Sequence, residues 1–499
     1  MTPSDAPVLE VRDVVKTYGG VHALRNVSLQ LLPGEVHCLA GENGSGKSTL
    51  IKIISGVEKP DSGTVAIDGQ VHAHLTPNDA IHSGVQVIYQ DFSLFPNLTA
   101  AENIAMLSEL AQGRKISSRR RISAEARRVV ADLGLRLDLE ADVIDLPVAD
   151  RQLIAICRAL VNDAKVLIMD EPTTALTHTE VDRLFTVVRR LQVRGVAVMF
   201  VSHKLDEVLR ISQRVTVLRN GELVESGPAS DHTARSIAKA MTGREVSEER
   251  LVSDVAPDAP ILLQVENLSR AGGFTDVSFA LRAGEILGIT GLLGSGRSEI
   301  AEAIFGIHPA DSGTIRVGGK VRRIRSIRDA VSAGIGYVPE DRLTQGLFLD
   351  VSIADNLIAS SLDSYRTRTG LLDRRRVRDS ITDLFRRLRI QAPNVGAVVR
   401  SLSGGNAQRV VIAKWLDRKP KVLILNGPTV GVDVGSKEQI IGILREQAAA
   451  GVGVVVISDD IPELVTSCHR VLVVHEGRVV AELSGDQVDA HEIERRMAA

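Results

Sequence analysis

Hydrophobic and polar positions fall into short blocks along this chain. Apolar runs at residues 166–169 and 422–425, the stretch 452–457 with its Gly453, and the strand candidate at 35–40 read as strands of parallel sheets. Between them the spacing turns helical. A helix starts at Lys47 and runs to Ser55, and residues 122–139 set Val129, Val130, Leu133 and Leu137 among charges, which predicts one amphipathic helix. The order strand, Gly-rich loop, helix, helical middle, then alternating strands and helices predicts an α/β fold.

The pattern occurs twice. Lys59-Pro60-Asp61-Ser62-Gly63-Thr64 returns as Pro309-Ala310-Asp311-Ser312-Gly313-Thr314, and Gly34-Glu35 as Gly284-Glu285, each 250 residues later. Arg214-Val215 and Gly195 return as Arg470-Val471 and Gly451, 256 residues later. A period this long is a domain duplication and not a solenoid. The expected division is a first domain over residues 1–243, an acidic linker over 244–260 and a second domain over 261–499. The linker carries Glu245, Glu248, Glu249, Asp254 and Asp258 against Arg244 and Arg250.

Composition narrows the class. With 60 Lys and Arg against 62 Asp and Glu in 499 residues, the formal charge of −2 argues against a protein built to grip nucleic acid. No apolar run approaches the roughly 18 to 20 residues that cross a bilayer. Residues 1–10 lack the basic flank and apolar stretch of a secretory signal, so none is expected. Cys38, Cys157 and Cys468 lie far apart, which predicts buried free thiols in a reducing compartment and no disulfide framework. Arg119-Arg120-Arg121 and Arg374-Arg375-Arg376 precede matching helices, either as solvated faces or as contacts for anionic lipid or a partner.

The first copy carries a phosphate-handling kit. Gly41-Glu42-Asn43-Gly44-Ser45-Gly46-Lys47-Ser48-Thr49 fits the phosphate-loop pattern between a strand and a helix. Small residues let successive N–H groups curl round phosphate oxygens; Lys47 would neutralise β- and γ-phosphate charge, and Ser48 would hold Mg²⁺. The strand at 166–169 runs into Asp170-Glu171, two carboxylates at a C-terminal sheet edge. Asp170 suits the metal, and Glu171 the general base for an attacking water.

With these motifs the chain resembles the ATP-binding cassette family over nearly its whole length. The resemblance implies two tandem P-loop NTPase domains, each with a mostly parallel sheet core, an antiparallel β subdomain and a helical subdomain, working with ATP and Mg²⁺. It also implies that Tyr18 stacks on adenine, that Gln90 meets the metal, the attacking water and the transport partner, and that His203 contacts the γ-phosphate. Thr174-Ala175-Leu176-Thr177 resembles the loop exchanged between paired cassettes.

The second copy keeps the skeleton and changes the chemistry. Arg297 stands for Lys47, Asn426 and Gly427 for Asp170 and Glu171, Glu340 for Gln90, Asp459 for His203, and no stacking aromatic stands near Ala271. That predicts little turnover, with drift and a retained non-hydrolytic nucleotide site as the two explanations. The signature segment inverts the asymmetry. The second copy has Leu402-Ser403-Gly404-Gly405-Asn406-Ala407-Gln408; the first has Leu146-Pro147-Val148-Ala149-Asp150-Arg151-Gln152. In this family each site joins one cassette's phosphate loop to the other's signature. Head-to-tail pairing within the chain would therefore join Lys47, Asp170 and Glu171 to Ser403, Gly404 and Gly405, leaving one working site and one degenerate site.

Arg297, the run Val338-Pro339-Glu340-Asp341-Arg342 and the tandem arrangement look like the ATPase subunits of bacterial monosaccharide importers, a group that includes ribose, xylose, galactose, polyol and furanosyl autoinducer systems. The implied partners are integral-membrane permease subunits, expected as a pair, and indirectly a periplasmic or lipid-anchored solute-binding protein. No nucleic acid partner is expected. The implied location is peripheral, on the cytoplasmic face of the inner membrane. Residues 90–103 and 340–356 are candidate coupling surfaces, with Phe92, Leu94, Phe95 and Pro96 either part of that surface or ordinary packing. A soluble tandem cassette acting on ribosomes is the alternative; it needs a basic segment between the cassettes, where this chain is acidic.

Overall fold

The structure, a computed structural model, describes residues 6–89, 92–111, 118–173, 176, 178–202, 204–245, 255–256, 258–292 and 294–498. Gln90, His203, Thr174, Ala175, Thr177 and most of the linker lie outside them. The chain divides into two compact units, Met1–Val246 and Ser247–Ala499.

The first unit contributes β1 (Leu9–Tyr18), β2 (Val21–Leu31), β3 (Val36–Gly41), β4 (Ser62–Ile67), β5 (Gln70–His72), β6 (Val85–Ile88), β7 (Val166–Asp170), β8 (Ala197–Val201), β9 (Arg214–Arg219) and β10 (Glu222–Pro228). Four of them form a sheet in the order β2-β1-β4-β5, and six form a second sheet in the order β10-β9-β3-β8-β7-β6. The first sheet is antiparallel; the second is parallel except at β10. The second unit repeats both with β11 (Ile261–Arg270), β12 (Phe274–Arg282), β13 (Ile286–Thr290), β14 (Ser312–Val317), β15 (Lys320–Arg322), β16 (Ile335–Val338), β17 (Val422–Asn426), β18 (Gly453–Ile457), β19 (Arg470–His475) and β20 (Arg478–Ser484). Its orders are β12-β11-β14-β15 and β16-β17-β18-β13-β19-β20.

The central strands are mostly apolar at successive positions because the sheet is covered on both faces. Val166 and Ile168 of β7 enter the core under the antiparallel sheet, while Leu167 and Met169 enter the core under the helical middle. Val422 and Ile424 against Leu423 and Leu425 of β17 do the same. This is the period-two alternation of a strand with two apolar partners.

The helical middle departs from expectation at one place. Its helix is Arg119–Asp132, so the basic triplet forms the first turn and the helix stops well before residue 139. Leu135, Leu137 and Leu139 pack on the core from a non-helical segment. Their spacing with Leu133 is two, which suits an extended chain on an apolar surface better than a helix face. The second copy's triplet likewise opens a helix, Arg374–Arg387, where Asp373 accepts from the N–H groups of Arg375 and Arg376 at 3.1 Å each. That carboxylate offsets three cations at the positive end of a helix.

One buried polar pair separates the copies. In β3, His37 is 1% exposed; its Nε2 lies 2.8 Å from Thr216 Oγ1 and its Nδ1 3.2 Å from the Gln30 carbonyl. Burial, then the nearby Arg214 cation, pulls its pKa down to about 4. The second copy places Leu287 and Leu472 at these positions. The unfolded chain binds this proton near pH 6.5 and the folded chain near 4, so stability is intact above 6.5 and falls as pH drops between the two. A single such group costs at most about 1.4 kcal/mol per pH unit. In the double variant His37→Leu, Thr216→Leu, the fall in urea midpoint between neutral pH and pH 5 becomes shallower than in the parent.

Candidate functional site

The sheet order brings the phosphate loop and the acidic pair to one edge. β3 ends at Gly41 and β7 at Asp170, with β8 between them, all three parallel. The helix Lys47–Ile54 starts from Gly46, at φ 109°, a conformation open to glycine and few others. A Cβ on Gly46 would lie 2.5 Å from the Ala23 carbonyl oxygen, so the loop is pressed against β2. Lys47, 7% exposed, donates from Nζ to the carbonyls of Gly41 at 2.6 Å and Glu42 at 2.9 Å. The ammonium thus rests on the loop it spans, over a helix N-terminus suited to anions.

Asp170 stands near this cation, with Glu171 next to it. The Asp170 carboxyl is held above its ordinary range, first by burial and second by the Glu171 charge, with Lys47 pulling the other way. A divalent cation would relieve that repulsion, and oxygen donors are what Mg²⁺ takes, so Asp170 and Ser48 fit the metal. Glu171 has φ 49° and donates its N–H to the Val201 carbonyl at 2.9 Å. The left-handed turn carries its side chain out of the line of β7. Gly427 has φ 59° and donates to the Ile457 carbonyl at 2.8 Å, so the second copy keeps the turn without the carboxylate.

Tyr18 closes one side of the loop. It is 43% exposed, and its hydroxyl lies near Glu58 and near Thr49 on the loop helix. Lys16 Nζ lies 5.2 Å from its ring centroid and 2.7 Å from Glu58, which orients the ring. Tyr18, Gly41, Glu42, Asn43, Gly44, Ser45, Gly46, Lys47, Ser48, Thr49, Asp170 and Glu171 therefore gather on one edge. Around the position of His203, Ser202 is buried and Lys204 donates to the Thr173 carbonyl at 3.1 Å.

The signature segment of the second unit is built for approach. Ser403 is exposed and N-caps the helix Gly404–Leu416. Its Oγ accepts from Asn406 Nδ2 at 3.0 Å, and Asn406 Oδ1 accepts from the Gln391 N–H at 2.7 Å. The Ser403 hydroxyl is thereby turned from capping the backbone, and the helix N-terminus keeps N–H groups for a ligand. A Cβ on Gly405 would fall on the Ser436 hydroxyl, and one on Gly404 would lie 2.8 Å from the Gly431 carbonyl. In the first unit, Pro147 begins the matching helix Val148–Val161 and Arg151 folds back onto the carbonyls of Leu146 and Ile144.

Sequence reasoning missed two devices. Arg342 donates to the carbonyls of Val430 at 2.6 Å and Gly431 at 3.1 Å, tying the segment after Glu340 to the loop facing Gly404. Asn103 and Asn356, both buried, each grip a phenylalanine backbone at N–H and carbonyl: Phe95 at 2.8 and 3.0 Å, and Phe348 at 2.9 and 3.0 Å. Phe95 is 46% and Phe348 60% exposed, whereas Phe92 and Leu94 pack on the helical core. The clamp recurs at matching positions, a signal that aligning the two copies on asparagine would have raised.

A phosphate loop, an adjoining acidic pair and a glycine-led helix on paired α/β units define a nucleotide-binding cassette protein with two cassettes in one chain. The family described as ABC transporter matches residues 24–174 and 274–430. The chain is 46% identical over 96% of its length to the Ribose import ATP-binding protein RbsA 2 of Streptomyces avermitilis, covering 95% of that protein. It is 45% identical over 100% of its length to Ribose import ATP-binding protein RbsA 1 of Streptomyces coelicolor, covering 98% of it. Its backbone matches a chain in the crystal structure of the complex of archaeal ribosomal stalk protein aP1 and archaeal ribosome recycling factor aABCE1, with TM-score 0.63, 19% identity, and coverage of 97% of this chain and 92% of that one; this shows a shared fold alone. The chain belongs to the ABC transporter family. Among the described residues, no helix is long and apolar enough to cross a membrane.

Proposed function

We propose that this chain is the ATP-hydrolysing subunit of a bacterial importer for ribose or a related monosaccharide, and that it has one productive ATP site. The observation that carries this reading is the complementary distribution of parts. Lys47, Asp170 and Glu171 share one edge of the first unit, and Ser403, Gly404 and Gly405 open a helix in the second. The second unit's acidic pair and the first unit's signature are replaced.

Mg²⁺ arriving with ATP would neutralise polyphosphate charge when bound. Lys47 exchanges its two loop carbonyls for phosphate oxygens, and the loop N–H groups hold the rest. Asp170 and Ser48 would hold the cation, joined by Gln90. Glu171 accepts the proton of the attacking water, and His203 donates to the γ-phosphate. Ser403 and the helix behind it stabilise the same phosphate from the other cassette, and Tyr18 carries the base. Closure of the cassettes on ATP is the step passed to the permease; the exposed Phe95 and Phe348, each on an asparagine clamp, suit that contact.

The partners are a pair of permease subunits and, through them, a solute-binding protein; the location is the cytoplasmic face of the inner membrane. Relatives at 45% and 46% identity across the full length favour this reading over action on ribosomes. Co-sedimentation tests it. The chain is expected to pellet with vesicles carrying its permease; recovery with ribosomes and not with vesicles would contradict the importer.

A further inference from the structure

The described residues of the second phosphate loop match those of the first. Gly294 and Gly296 have φ 79° and 98°, against 82° and 109° at Gly44 and Gly46, and Arg297–Phe305 starts from Gly296 as Lys47–Ile54 does from Gly46. Ser295 is 5% exposed and its hydroxyl has no partner, as at Ser45. Arg297, 9% exposed, donates from Nη1 to the Gly291 carbonyl at 2.8 Å, the acceptor position that Lys47 uses. The backbone donors and the cation are therefore in place.

The metal ligands are not. Where the first loop faces Asp170, the second faces Asn426, whose Nδ2 donates to Ser298 Oγ at 3.1 Å. The hydroxyl matching Ser48 is paired with an amide, and neither group carries charge. Mg²⁺ is ordinarily held in such sites by one or two carboxylates together with phosphate. At the positions of Lys47, Asp170 and Glu171, which sum to −1, the second copy's Arg297, Asn426 and Gly427 sum to +1; Asp459 and Glu340, standing for His203 and Gln90, return its total to −1 from exposed positions. The carboxylates bordering this loop are Asp459, 68% exposed and 3.5 Å from Arg297 Nη2, and the exposed Glu340, whose Cγ lies 3.3 Å from where a Cβ on Gly427 would sit. Asp459 pairs with the guanidinium from an exposed position, so an incoming phosphate would compete with it for Arg297.

We propose that the second phosphate loop binds a nucleoside di- or triphosphate without a divalent cation, with Arg297 replacing Asp459 by phosphate and supplying the counter-charge. The inference rests on the second unit being a nucleotide cassette, which the family match covers. It does not depend on which site hydrolyses ATP.

Calorimetric titration of the full chain with ADP tests it. Lys47→Ala, which loosens the first loop's grip, is expected to bind one ADP per chain with an affinity equal within about threefold in Mg²⁺ and in EDTA. Adding Asn426→Asp is expected to make that binding Mg²⁺-dependent by about tenfold or more. Wild type in EDTA keeps this ADP and Arg297→Ala loses it, a comparison independent of how Lys47→Ala folds. No binding by Lys47→Ala, retention by Arg297→Ala, or about a tenfold loss in EDTA that Glu340→Gln removes would each overturn the proposal; the last would make Glu340 a metal ligand. ATP turnover is not read, so an empty second loop leaves the proposal for the first site standing.

Discussion

Glu171→Gln lowers steady-state ATP turnover by about 10²–10⁴-fold while ATP affinity stays within about threefold, the loss expected when a general base is removed and binding is kept. The expectation follows from where the turn at φ 49° puts this residue: just beyond the end of β7 and next to Asp170, whose carboxyl is held above the ordinary range by burial first and by the Glu171 charge second. Glutamine preserves length and hydrogen-bonding capacity and removes the basic oxygen. The companion measurement is Asn426→Asp, which leaves turnover unchanged because Gly427 supplies no base. Continued turnover in Glu171→Gln, or a rise in Asn426→Asp, would move the productive site and contradict the assignment.

Gly46→Ala is the second large effect. The added Cβ meets the Ala23 carbonyl oxygen at 2.5 Å and Leu24 Cδ2 at 2.8 Å, both fixed in β2. Relieving that overlap costs about 1–3 kcal/mol by the measure of overpacked cores. Holding alanine at φ 109° adds about 1–2 kcal/mol, the penalty of the left-handed region. Gly44→Ala, also at positive φ but with nothing within 4 Å of the added atom, incurs the second cost alone. Urea unfolding is expected to rank Gly46→Ala well below Gly44→Ala, and equilibrium ATP binding to be lost in the former as the start of its helix is displaced. Equal midpoints for the two variants would mean that contact with β2 does not hold the loop.

The phosphate loop, the acidic pair and the signature were legible because each is a run of neighbours in sequence, where backbone conformation and a few side chains suffice to state the chemistry. The duplication was legible for the same reason. The helix over residues 122–139 was overextended because Leu133 and Leu137 fit a helical stripe, while Leu135 and Leu139 fit an extended one and the core selected the latter. The asparagine clamps on Phe95 and Phe348 were hidden, since an asparagine among apolar residues signals nothing until its partners are known. Of the four candidates for a coupling surface, burial separated Phe92 and Leu94 from the exposed Phe95. The fork from Arg342 to Val430 and Gly431 joins residues nearly ninety positions apart.

Local order along the chain was thus enough to determine the two-copy α/β plan, to nominate residues for phosphate and metal, and to show the loss of both carboxylates from the second copy. Tertiary structure alone decided that Asp170 meets the charges of both Lys47 and Glu171, that Ser298 is paired with an uncharged amide, and that Arg297 pairs with an exposed aspartate. These are charges and donors brought together by the order of strands in a sheet. Electrostatic and hydrogen-bond energies depend on separations of a few ångströms, which spacing in sequence does not encode.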